Sequence, residues 1–141
     1  MAFRPVIYAP VFAILFCFLY GCMYYLGVMD SNIFFQLNNN IEWTDAGNGV
    51  SRQMFGHNEA IMMVKVKFEA GAVGVLHKHP HVQVSYVESG SFELTIDDEV
   101  KILNQGDGYF VPPGLLHGCV CKEAGILIDV FTPAREDFVQ P

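Results

Sequence analysis

Three of the chain's five histidines, His77, His79 and His81, fall within five consecutive positions. Such density suits a transition-metal site, because neutral imidazole is the commonest protein ligand for these ions. In an extended strand side chains alternate between faces, so His77 and His79 point the same way and can offer two nitrogens to one ion. Pro80 removes a ladder hydrogen bond and forces an edge, bend or bulge, which leaves the facing of His81 and Gln83 open. A third nitrogen must come from elsewhere. His117 is the candidate, since it follows the turn signal Pro112-Pro113-Gly114 and begins a short apolar run. His57, alone between Gly56 and Asn58, reads as a loop residue rather than a ligand.

Short strands must carry these residues. Residues 61–68 alternate in their second half and put Lys65 and Lys67 outside. Further strands are predicted over 73–79, 83–88, 91–96, 100–103, 109–111, 117–121 and 125–131, each bounded by Gly, Pro, Asn or acidic turn residues. Asp45-Ala46-Gly47-Asn48-Gly49 signals a turn, so Trp43 is expected to pack from a loop, and Asn38-Asn39-Asn40 is not expected to hold regular structure. No helix of any length is predicted after residue 42. The rhythm is the signature of an all-β double-sheet or barrel fold in a single domain, and a jelly-roll barrel fits it, with His77, His79 and His117 converging at its mouth.

At 141 residues the chain has room for one such domain. A formal charge of −7 and a pI near 5.0 argue against nucleic acid as a partner, since a phosphate backbone needs clustered Lys and Arg. The run Asp97-Asp98-Glu99 reads as a solvated turn. Cys17, Cys22, Cys119 and Cys121 do not form a disulfide framework: two lie in an apolar run and the others are only two positions apart. Cys119 and Cys121 read as small buried hydrophobes near His117; Cys121 would ligate only if the strand bent it inward.

From Pro5 to Met29 no residue is charged, enough to cross a ~30 Å hydrocarbon core as a helix at about 1.5 Å per residue. Three readings account for residues 1–29. A signal anchor would leave Arg4 in the cytoplasm and the barrel outside it. A cleaved signal would use Leu19-Tyr20-Gly21-Cys22, where Tyr20 is bulky for a cleavage box. The reading adopted is translation from Met29, which makes the protein cytoplasmic, because residues from about Asn40 onward already account for a barrel. Residues 30–42 are then a polar lead-in and residues 43–138 the domain.

Two stretches carry a family resemblance. Gly71, His77, His79, Gln83 and Gly90 keep every spacing of the first cupin motif, with Gln in place of the usual Glu. Gly106, Pro112, Gly114, His117 and Cys121 keep those of the second, with Cys121 in place of the usual Asn. This pairing outweighs a solvated histidine loop as an explanation of the cluster. The resemblance implies that Gln83 joins His77, His79 and His117 around one divalent transition metal ion: zinc, nickel, manganese, iron or copper suits such donors. Four neutral ligands leave the +2 charge uncompensated, so the site should attract an anionic oxygen and act as a Lewis acid.

The tail from Ile126 to Phe138, with its Asp129-Val130-Phe131-Thr132-Pro133-Ala134-Arg135 segment, is similar to that of the KdgF family of cupins, as are residues 77–83 and 109–114. The likeness covers about Trp43 to Phe138. It implies a metal-dependent enzyme that converts 4,5-unsaturated uronate monosaccharides, released by pectate or alginate lyases, into linear 5-keto-4-deoxyuronate. Asp129 and Phe131 are two apart and share a strand face, and an acid beside an aromatic ring can have its pKa raised toward use as a proton carrier. Arg135 can clamp a substrate carboxylate, though Arg135-Glu136-Asp137 is also a common exposed ion-pair pattern. The partner is a small anionic sugar, and no organic cofactor is needed. Exposed edge strands suggest a homodimer. A cupin dioxygenase would require a redox-active ion and consume oxygen; a sugar-binding cupin without catalysis would bind uronates and turn nothing over.

Overall fold

The computed structural model describes residues 34–139. Its strands are β1 (Thr44–Gly47), β2 (Val50–His57), β3 (Met62–Phe68), β4 (Val73–His77), β5 (Val82–Ile96), β6 (Glu99–Asn104), β7 (Gly108–Val111) and β8 (His117–Thr132). All pairings are antiparallel. The apolar run 5–29, and with it the three readings of that segment, lies outside the described residues. Among the described residues no helix is long and apolar enough to cross a membrane.

Two long strands organise the jelly roll. β5 and β8 pair along almost their whole lengths, from Val82 opposite Thr132 to Ile96 opposite His117, with register shifts between Val87 and Phe92. The chain bends there because two glycines let the backbones approach. A Cβ on Gly90, whose φ is +82°, would stand 2.5 Å from the Glu123 carbonyl oxygen, and one on Gly125 would strike the Ser89 carbonyl. On one side of the bend the order is β1-β2-β3-β8-β5-β7; on the other it is β4-β8-β5-β6. The four strands predicted over 83–88, 91–96, 117–121 and 125–131 are therefore two, each bent where its turn residues lie.

The core sits between these layers. β3 alternates as its sequence requires, with Met62, Val64, Val66 and Phe68 buried and Lys67 exposed. Phe68 meets Phe92 edge to face across the sheets at 5.5 Å.

The amino-terminal part differs from expectation. The turn signalled by Asp45-Ala46-Gly47-Asn48-Gly49 is present but closes a hairpin of two strands that were not predicted, with Asn48 (φ 54°) and Gly49 (φ 76°) as a two-residue turn between paired Gly47 and Val50. Positive φ at both central positions matches the right-handed strand twist, so these turn residues join two strands instead of ending structure. Trp43 itself does lie in a loop, its ring 4.6 Å from Lys67 Nζ. Asn38–Asn40 forms one 3₁₀ turn, because the buried Gln53 amide donates to the Asn38 and Ile41 carbonyls at 2.9 and 2.8 Å. A four-residue helix, α1 (Glu136–Val139), closes the described chain where none was predicted.

Candidate metal centre

Strand pairing brings the imidazoles together. His77 ends β4 and His117 begins β8, and the two are register partners with ring centroids 4.4 Å apart. His79 lies just beyond β4, yet its ring stands 5.5 Å from His77 and 4.8 Å from His117. One ligand atom from each of the three can be chosen so that all lie within 4.8 Å of one another. His81 is not part of this group: it lines a separate hollow with His57, Glu59 and Asp137. Cys119 and Cys121 are buried on the inner face and also outside the group. Burial raises both thiols, Cys119 to about 11, and Cys121 Sγ donates to the Glu123 carbonyl, as expected of small buried hydrophobes.

Each ring is oriented by a backbone carbonyl two residues away. Nδ1 of His77, His79 and His117 lies 2.8, 3.1 and 2.9 Å from the carbonyls of Val75, His81 and Leu115. A carbonyl only accepts, so Nδ1 carries the hydrogen and Nε2 of the neutral ring is a bare lone pair. Burial lowers the pKa of His79, and that of His117 to about 4, which keeps both neutral near pH 7.

Gln83 completes the set. Its Oε1 lies 3.0 Å from His79 Nε2 and 3.2 Å from His117 Nε2, so acceptors face one another with no hydrogen between them. A cation among them converts that repulsion into ligation, and the donor set fits a divalent transition metal. The amide is held in this sense by its other end. Gln83 Nε2 donates to Ser85 Oγ at 2.9 Å, and Ser85 gives its single hydroxyl proton to Asp129 Oδ1 at 2.5 Å. Register explains the chain: Gln83 is opposite Phe131 and Ser85 is opposite Asp129, all on the inner face.

Asp129 is only 7% exposed. Burial raises its carboxyl from 3.8 to about 6, opposed by the Ser85 and Gln83 hydrogen bonds and by the charges of Arg135 and Arg52. Phe131 is buried beside it and packs edge to face on His79 at 5.6 Å. Tyr109, whose hydroxyl lies 3.4 Å from Gln83 Nε2, is pushed well above its usual pKa, chiefly by burial, and stays neutral. These groups line a cavity of about 410 Å³, within the range of small-molecule sites.

Arg135 also lines the cavity, with its Nε and Nη2 already donating to the Asp137 carboxylate at 2.8 and 2.7 Å. The fork expected for a substrate thus has one edge engaged by the ion pair named as its alternative. The sequence reading missed Ser85, Tyr109 and Arg52. Ser85 was within reach, being two residues from Gln83 and so on its face. Arg52 required the hairpin.

Comparison with known proteins agrees with this geometry. The Cupin domain family matches residues 64–131. The pectin degradation protein KdgF of Dickeya dadantii is 43% identical over 99 residues, which cover 69% of this chain and 90% of that protein. The crystal structure of an RmlC-like cupin from Shewanella frigidimarina superposes with a TM-score of 0.73 at 50% identity, covering 74% of this chain and 95% of that one. KdgF from a Halomonas species superposes with a TM-score of 0.72 at 37% identity, covering 74% and 97%. With the histidine cradle, the jelly roll and an identity sustained across nearly all of a KdgF protein, the chain belongs to the KdgF family of cupins.

Proposed function

We propose that the protein is a ring-opening isomerase that converts 4,5-unsaturated uronate monosaccharides from pectin or alginate breakdown into linear 5-keto-4-deoxyuronate. The observation that carries this reading is the buried Asp129 carboxyl, raised to about 6 and wired through Ser85 to Gln83 of the histidine cradle. Kinship with pectin degradation proteins supplies the substrate class.

His77, His79, Gln83 and His117 would hold the ion, and zinc, nickel, manganese or iron would supply a Lewis-acid charge for the substrate's anionic oxygens. Asp129, ionised above about pH 6, accepts the proton of the C1 hydroxyl. The bond between C1 and the ring oxygen then breaks, C1 becomes the aldehyde and the oxygen on C5 is left as an enolate. Return of the proton from Asp129 to C4 as the enolate collapses gives the 5-ketone, so atoms and electrons balance without an oxidant. Phe131 beside Asp129 keeps water from the carboxyl, and the guanidiniums on the cavity wall favour an acidic sugar. A cytoplasmic location with translation from Met29 goes with this proposal. So does pairing of two copies, which the edge strands β1 and β6 would support.

The substrate's C4=C5 bond is conjugated with its carboxylate and absorbs in the ultraviolet; the 5-keto product lacks that conjugation. The protein should remove the absorbance well above the spontaneous rate. Binding of unsaturated uronate with no acceleration would overturn the enzyme reading.

A further inference from the structure

Arg52 has no partner in the scheme above. It occupies an inward position on β2, between Val50 and Met54, which pack against the core, and it lines the cavity with Asp129 and His117. Among the described residues it makes no hydrogen bond or ion pair, and its Cζ lies 4.1 Å from the Phe138 ring centroid. Arg135 leans on the same ring at 4.4 Å. Their situations differ: Arg135 has one edge closed by Asp137, while none of Arg52's five donors is paired among the described residues.

A half-buried guanidinium beside a second one is an unfavourable arrangement until an anion arrives. Burial, and then the charge of Arg135, both lower the pKa of Arg52, which shows the sign of that environment. Asp129 and Asp137 oppose this only through longer-range attraction. The planar fork of arginine matches a carboxylate at two points, and stacking on Phe138 fixes the plane of that fork.

We propose that Arg52 is the residue that binds the carboxylate of the sugar substrate, while Arg135, closed by Asp137, holds the Phe138 ring against which Arg52 is set. This deepens the function proposed above and rests on it for the substrate class.

The test uses the full metal-loaded chain and two probes that it does not turn over, D-galacturonate and neutral D-galactose, titrated calorimetrically. The wild type should prefer the uronate. Arg52→Gln should cut that preference about 10- to 100-fold, the worth of a lost hydrogen-bonded charge contact, with metal content and galactose affinity kept. With unsaturated uronate the same variant should raise KM and leave kcat within a few-fold. Arg52→Lys, which keeps the stem and the charge but not the fork, should fall between and serves if the glutamine variant does not fold.

A wild type that does not distinguish the two sugars would overturn the assignment. So would an Arg52→Gln variant with wild-type preference, or one that weakens both sugars equally, which is the mark of a merely structural role. An unchanged KM in folded Arg52→Lys would overturn the fork, and transfer of the effect to Arg135→Gln would move the role to Arg135. Because these titrations need no turnover, loss of uronate preference in a protein that does not accelerate ring opening would sink the enzyme reading and leave Arg52 as a carboxylate receptor.

Discussion

The cavity has two walls built in different ways. On the imidazole wall each ring is fixed by a carbonyl two residues away, and the cradle is completed by one register pair, His77 with His117. On the opposite wall the contacts are distant in sequence: Ser85 meets Asp129 across 44 positions, and Arg52 of the amino-terminal hairpin meets Phe138 of the last helix. The first wall is organised by local backbone geometry and brings together facing acceptors that an ion would relieve. The second is organised by strand register and holds a buried acid beside unneutralised positive charge. On the proposed reading one wall would bind the ion, and the other would move the proton and select the substrate.

That division can be broken by substitution. The largest effect belongs to the imidazole wall: His79→Ala or His117→Ala should reduce turnover of unsaturated uronate to the spontaneous rate, read by ultraviolet absorbance. Residual catalysis in both would show that the ion is dispensable.

Next is Asp129→Asn, which keeps the shape but cannot carry a proton and should lower kcat by about 10²- to 10⁴-fold with KM little changed. In the wild type kcat/KM should rise with pH through about 6 and level off above it, since the base works when ionised; the variant's residual rate should lack that limb. Stability should run the opposite way. A carboxyl raised from 3.8 to about 6 by folding stabilises the fold fully below 3.8, and this stability is lost as pH rises through about 6. At pH 7 Asp129→Asn should therefore melt no lower than wild type. A much lower Tm would show that the ionised carboxyl is itself a stabilising group.

The smallest effect sharpens the link between the walls. Gln83→Glu keeps a ligand oxygen but replaces the amide donor to Ser85 with a second carboxylate near Asp129. The ion should remain, uronate should bind about 10-fold more weakly because the ion's net charge falls, and the acid limb should move upward through like-charge repulsion. Unchanged uronate affinity and pH profile would mean that ligand charge is not why glutamine serves here.

The imidazole wall was legible because its ligands lie in spaced motifs and its orienting bonds are short-range. Gly71 to Gly90 and Gly106 to His117 set both the strand ends and the histidines. Asp129 and Phe131 were legible only as neighbours on one strand; that Ser85 joins Asp129 to Gln83 depends on the register of two long strands that residue patterns read as four. Arg52 was invisible because no strand was predicted on either side of the turn signalled at Asn48-Gly49, so the hairpin that aims it inward was not foreseen. Arg135 shows the converse: its residue type suggested a free fork, while Asp137, two positions away, takes one edge.

The most direct measurement is the metal-to-protein ratio, by elemental analysis, of the wild type, His117→Ala and Asp129→Asn purified in parallel. The two-wall account predicts close to one divalent ion per chain in the wild type and in Asp129→Asn, and almost none in His117→Ala. Full occupancy in His117→Ala, or an Asp129→Asn protein that has lost its ion, would contradict it.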